Sequence, residues 1–128
     1  RFLLGPGAVS GLVQELVFAM WSDPTSGRRL ARAAEIYVQR RQALIDALTA
    51  RSIGAHGRSG FNVWVPVREE ASVTAELAQH GWAVAPGERF RERTPPGIRV
   101  TTAALAPPDA QRFAAALAEV MHPPAARR

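Results

Sequence analysis

The spacing of apolar residues changes period near residue 60, and that change restricts the chain to a mixed architecture of helices and strands. Ahead of it, Val9, Leu12, Val13, Leu16, Val17 and Met20 recur at three- and four-residue intervals, with Ser10, Gln14 and Glu15 on the opposite side. This is the stripe of an amphipathic helix. The helix should stop near Trp21-Ser22-Asp23-Pro24, because proline disfavours helical geometry in the residue before it. A longer helix is expected next, capped by Thr25 or Ser26 and running to about Arg51. It would turn Leu30, Ala33, Ala34, Tyr37, Leu44, Ile45 and Leu48 inward and Arg28, Arg29, Arg32, Arg40 and Arg41 toward water. Gly54 and Gly57 should end it and open a loop.

Beyond residue 60 the period falls to two. Phe61, Val63, Val65 and Val67 alternate with Asn62, Trp64 and Pro66, which is the signature of a strand with both faces at least partly covered. Pro66 places the end of that strand near a sheet edge. After Arg68-Glu69-Glu70, a short helix should carry Val73, Leu77 and Ala78 inward and close at Gly81. A short strand over 82–85 then runs into a Pro86-Gly87 turn, and the polar, arginine-rich stretch 88–97 reads as a loop. A third strand over 98–103 sets Ile98, Val100 and Thr102 on one side and Arg99, Thr101 and Ala103 on the other. The last helix begins at Pro107-Pro108-Asp109 and buries Phe113, Ala116, Leu117, Val120 and Met121. The tail 122–128 should fray.

The expected fold is therefore α+β: a small, at least partly antiparallel three-stranded sheet with helices packed on one face, preceded by an extra helix. Residues 1–24 read as a turn and helix linking to a different structural unit, and residues 25–128 as the domain proper. The opening Arg1-Phe2-Leu3-Leu4-Gly5-Pro6-Gly7 has no cap or start signal before it, as in a chain entered midway. With 128 residues, 47% of them apolar, the chain can bury a core. No apolar run approaches the ~18 residues of a membrane span and no signal peptide opens the chain, so the expected location is cytoplasmic, with no membrane partner.

Composition also removes several chemistries. There is no cysteine, hence no disulfide, thiolate metal site or thiol nucleophile. His56, His80 and His122 are too scattered for a metal set, and Ser10, Asp23 and His56 form no local signature of a nucleophilic triad. All 16 basic residues are arginine, so the chain has no lysine amine for Schiff-base chemistry. The net charge of +5 is spread along the sequence and interleaved with acids, as in Arg89-Phe90-Arg91-Glu92-Arg93, which is the pattern of a solvated surface.

One arginine stands apart. Arg99 lies inside an otherwise apolar strand, where its guanidinium must find a partner or reach solvent. A guanidinium fork matches a carboxylate with two parallel hydrogen bonds, and a strand fixes where the fork points. The plainer alternative is an edge-strand arginine that reaches water or pairs with Glu69, Glu70 or Glu88.

Three segments carry a resemblance. Gly60-Phe61-Asn62-Val63-Trp64-Val65-Pro66, then Gly81-Trp82-Ala83-Val84-Ala85-Pro86-Gly87-Glu88-Arg89-Phe90, then Pro96-Gly97-Ile98-Arg99-Val100-Thr101-Thr102-Ala103 resemble, in order and spacing, the end of class I/II (fold type I) aminotransferases. They are most similar to the MocR-type regulators of the GntR family, in which an aminotransferase-like domain follows a DNA-binding winged helix. Gly5-Pro6-Gly7-Ala8-Val9-Ser10 and Trp21-Ser22-Asp23-Pro24 look like the segment such proteins carry after their cofactor lysine.

The resemblance implies a C-terminal small domain in which Arg99 grips the α-carboxylate of an amino-acid substrate or effector, while Gly87 and Phe90 lie on the loop that folds toward it. It implies pyridoxal phosphate in the full-length parent, with none expected on this chain, which contains no catalytic residue and no metal site. It further implies an amino-acid or amine ligand, a homodimer and, for a regulator, DNA bound through another domain. Two other classes stay open from sequence: a basic nucleic-acid-binding domain, and a dimerisation module using the first helix.

Overall fold

The computed structural model describes residues 10–122. The Gly5-Pro6-Gly7 turn and the tail from residue 123 lie outside the described residues. Four helices and three strands follow in the order α1 (Gly11–Ser22), α2 (Pro24–Thr49), β1 (Asn62–Pro66), α3 (Glu70–Gln79), β2 (Ala85–Pro86), β3 (Gly97–Thr101) and α4 (Pro107–Met121). A single 3-10 turn, Gly87–Arg89, follows β2. The class is α+β, as the change of period requires. No helix among the described residues is long and apolar enough to cross a membrane.

The chain divides into two compact units, Arg1–Glu35 and Ile36–Arg128, with α2 contributing to both. Within the first, α1 holds no buried residue, and Leu12, Leu16, Phe18 and Trp21 are exposed. The cap of α2 is Asp23 rather than Thr25 or Ser26. Its carboxylate accepts the Thr25 N–H at 3.1 Å, the Ser26 N–H at 2.9 Å and the Ser26 hydroxyl at 3.0 Å, which leaves Pro24 in the first turn, where a missing N–H costs nothing. Leu30, expected inward, is exposed because the described part of its unit closes no core around it.

In the second unit, Leu44, Ala47 and Leu48 of α2, Val73 and Leu77 of α3, and Phe113, Ala114 and Leu117 of α4 join Val63, Val65, Ile98 and Val100 in one buried cluster. Ala78, expected inward, is exposed. Arg40 and Arg41 are half-buried and bonded to backbone instead of lying free in water. Arg40 donates to the Ala103 carbonyl and Arg41 to the Gly60 carbonyl, which ties α2 to the segments flanking the sheet. The end of α2 is made by Ser52, at φ 59°, and not by Gly54. There the Ile53 N–H reaches back to the Leu48 carbonyl at 3.0 Å, and Ile53 is buried against the helix it closes.

The sheet order is β1-β3-β2, antiparallel throughout. The last strand in sequence is therefore the central one. Trp64 and Ala85 stand opposite Arg99 on its two sides. The second strand is shorter and later than residues 82–85, and the reason is the preceding helix. Gly81, at φ 82°, lets the Trp82 N–H close α3 on the Leu77 carbonyl at 2.9 Å, so that residue is spent before the strand begins. Pro86 is tolerated because β2 is an edge.

Trp82 meets Phe113 edge to face with ring centroids 5.5 Å apart. Phe113 is the largest fully buried side chain. Phe113→Ala is expected to cost about 3–5 kcal/mol in chemical denaturation, as is typical of aromatic truncation in a closed core.

Candidate functional site

The buried residues of β1 and β3 alternate with a second row of side chains. Ile98 and Val100 point into the core, so Arg99 projects from the other face of the central strand, beside Trp64. Because β3 is hydrogen-bonded on both sides, Arg99 is not an edge-strand residue, and its Cα is held by two neighbours. The guanidinium carbon lies 3.7 Å from the centroid of the Phe90 ring, a cation–π stack that covers one face of the fork. The Arg99 Nε is buried and has no hydrogen-bond partner. Among the described residues, no carboxylate lies within ion-pairing distance of it.

An orphaned buried donor costs about 1–3 kcal/mol, and a ligand oxygen placed there would recover that loss. An open depression of about 370 Å³ is lined by Arg99, Trp64, Asn62, His56, Arg58 and Ser59 among others. No acidic side chain lines it. Its lining suits an anionic group.

Glu70, the first residue of α3, is not Arg99's partner. Its Oε2 accepts the Glu88 N–H at 2.7 Å, and its Oε1 accepts the Gly97 N–H and the Arg91 Nε–H, each at 2.9 Å. Burial pushes this carboxyl up, but the Gly97 and Glu88 amides and the Arg91 guanidinium outweigh it and hold the group below the ordinary carboxylate range. Asp23 is likewise held low, by the Thr25 and Ser26 amides and the Ser26 hydroxyl.

The three residues singled out from sequence are brought near one another in different ways. Phe90 touches Arg99. Gly87 is buried, and its role is space: a Cβ there would stand 2.2 Å from Trp64 Cη2 and 2.3 Å from the Gly97 carbonyl oxygen. Gly97 is under the same ring, 2.5 Å from Trp64 Cε2 by the same measure. Trp64 therefore packs flat over two glycines that only a bare backbone can supply. In the sequence Trp64 stands out only as one residue of the 61–67 alternation, and Glu70 only as a possible counter-ion of Arg99. Nothing in local spacing marks Glu70, since its acceptors act on amides 18 and 27 residues further on.

Two outcomes follow from this packing and charge. Gly97→Ala should lower stability by about 1–3 kcal/mol through overpacking against the indole, read as a shift in denaturation midpoint. Glu70 is held low in the fold, so its contribution is complete above the ordinary carboxylate pKa and fades as pH falls through the lowered value. Amide exchange at Glu88 and Gly97, corrected for its intrinsic pH dependence, should therefore lose protection on acidification. Replacing Glu70 by Gln should remove that acid-dependent step.

The family model for aminotransferase class I and II matches residues 1–117. A transcriptional repressor of the vitamin B6 salvage pathway, PtsJ of Salmonella typhimurium, is 36% identical over 107 residues, covering 82% of this chain and 25% of PtsJ. Among solved structures, a tetra mutant of Thermus thermophilus aspartate aminotransferase aligns with a TM-score of 0.64 at 25% identity, over 74% of this chain and 27% of the enzyme. An aminotransferase from Mycobacterium tuberculosis aligns with a TM-score of 0.65 at 20% identity, over 77% of this chain and 27% of its own, a likeness of fold. The chain thus spans about a quarter of the length of these relatives. With three segments in family order, an antiparallel sheet centred on the Gly97-Ile98-Arg99 strand and a match along most of its length, this chain belongs to the class I and II aminotransferase family.

Proposed function

We propose that this chain is the small domain of an aminotransferase-like transcriptional regulator of the MocR/GntR type, and that it supplies carboxylate recognition for an amino-acid effector. The observation that carries the reading is the Arg99 guanidinium, stacked on Phe90, with a buried Nε that no described residue satisfies. The repressor identity of PtsJ supports a regulator. In this reading residues 1–24 link to the remainder of the parent and residues 25–128 form the domain, which acts within a cytoplasmic homodimer whose DNA-binding part lies elsewhere in the polypeptide.

Full-length members of the family work with pyridoxal phosphate. The residues of this chain do not fit the role of holding it: there is no lysine, so the covalent attachment has no candidate here. What the chain offers is a fixed fork for the ligand's carboxylate and a loop against it. Glu70 and Arg91 keep that loop close, Phe90 shields one guanidinium face, and an amino acid would approach the fork from the side Phe90 leaves uncovered. The cationic surface is a weaker basis for nucleic-acid binding, because Arg40, Arg41, Arg51, Arg91 and Arg112 are engaged within the fold.

A second reading is favoured by the likeness to the Thermus thermophilus aspartate aminotransferase mutant: the same domain serving a catalytic parent. A winged-helix sequence upstream in the gene would favour the regulator, and its absence the enzyme. In either parent, Arg99→Ala should weaken amino-acid binding roughly 10- to 100-fold by calorimetry, the worth of charge-assisted hydrogen bonds to a carboxylate. Unchanged affinity would remove Arg99 from the site.

A further inference from the structure

We propose that Glu70 is a positioning residue for this site, a latch that never touches the ligand but holds Phe90 against the Arg99 guanidinium. The inference rests on the carboxylate reading of Arg99 and adds to it the group on which the fork's orientation depends.

The loop that bears Phe90 leaves the sheet after β2 and returns at Gly97, the first residue of β3. Residues 91–96, Arg91-Glu92-Arg93-Thr94-Pro95-Pro96, contribute no residue to the buried cluster, so apolar packing does not fix the path of this stretch. Polar bonds do. One carboxylate holds both ends of the loop, taking the Glu88 amide on Oε2 and the Gly97 amide on Oε1, and it takes a third bond from Arg91, next to Phe90. The Glu70 side chain is only 9% exposed, and α3 fixes its backbone, so the anchor point is rigid.

The other contacts at the loop's base work in the same direction. The Phe90 and Arg91 amides both donate to the Gly87 carbonyl, at 2.8 and 3.0 Å, and Gly87 is itself pressed under Trp64. Phe90 is 47% exposed, so its burial is too slight to keep the ring in place, and its position 3.7 Å from the Arg99 centre follows from where the backbone is held. Arg99, for its part, makes no hydrogen bond or ion pair to a described residue. Among the described residues the Phe90 ring is the one aromatic face stacked on it, so releasing the loop frees the fork to reorient and adds an ordering cost to ligand binding.

The test is a double-mutant cycle in the full-length parent, with Glu70→Gln, Phe90→Ala and the pair. Binding is read by calorimetry with the L-α-amino acid that the unmodified parent binds best in a panel of the twenty, and Arg99→Ala is run alongside. Glu70→Gln keeps the side chain's size but replaces one acceptor oxygen with a donor. It is expected to weaken binding about 5-fold in the otherwise unmodified parent and less than about 2-fold when Phe90 is already alanine, since coupled neighbours are not additive. A merely structural role would lower thermal stability while leaving affinity unchanged, or would give the same loss in both backgrounds; either result overturns the proposal.

Should Glu70→Gln not fold, Arg91→Ala removes one of the three donors and leaves both amide anchors. It is expected to show a smaller loss with the same dependence on Phe90, and full additivity would count against the latch. If Arg99→Ala leaves affinity unchanged, or no amino acid binds the parent, the carboxylate reading itself fails and the latch with it. If Arg99→Ala weakens binding and Glu70→Gln does not, only the latch fails.

Discussion

The placement of β3 between β1 and β2 is the constraint from which the rest of the domain follows. A central strand is hydrogen-bonded along both edges, so its side chains are assigned to faces without freedom to slip: a shift of one residue would bury Arg99 and expose Ile98 and Val100. Apolar burial on one face thus fixes a cation on the other. The same strand begins at Gly97, where the backbone passes beneath Trp64, so packing on the Arg99 side of the sheet sets where the strand starts.

Around that strand, charge is distributed unevenly. Glu70, the acid most deeply involved in the sheet's surroundings, is saturated by two amides and one guanidinium, and is not free to neutralise Arg99. Separating the acid from the nearby arginine leaves a cation with no carboxylate partner among the described residues. Phe90 softens the cost, since an aromatic face attracts the guanidinium without offering an oxygen that a ligand would have to displace.

Much of this architecture is legible in the sequence because it depends on periodicity. The alternation of Ile98, Val100 and Thr102 with Arg99 and Thr101 gives the correct faces, and the spacing of Leu44 and Leu48, or of Val73 and Leu77, gives the buried helix sides. What periodicity does not carry is long-range pairing. It does not say that the last strand lies in the middle, that Arg40 and Arg41 turn inward to carbonyls, or that Glu70 reaches two amides far along the chain. Local signals also compete: Gly54 looks like the stop for α2, yet Ser52 accepts the left-handed turn because Ile53 gains burial by it. The site was legible in part for the same reason. A lone arginine on an apolar strand stands out, whereas the residues around it, Phe90 and Glu70, are ordinary in their own neighbourhoods.

The central claim is that the carboxylate of an amino acid docks on the Arg99 fork. A crystal structure of the full-length parent with the amino acid bound tests it most directly. A carboxylate oxygen within hydrogen-bond distance of the Arg99 Nε or terminal nitrogens, with Phe90 still stacked, is the result expected here. A ligand whose carboxylate is held by other residues, with Arg99 turned to solvent or paired with an acid of the larger domain, would contradict it.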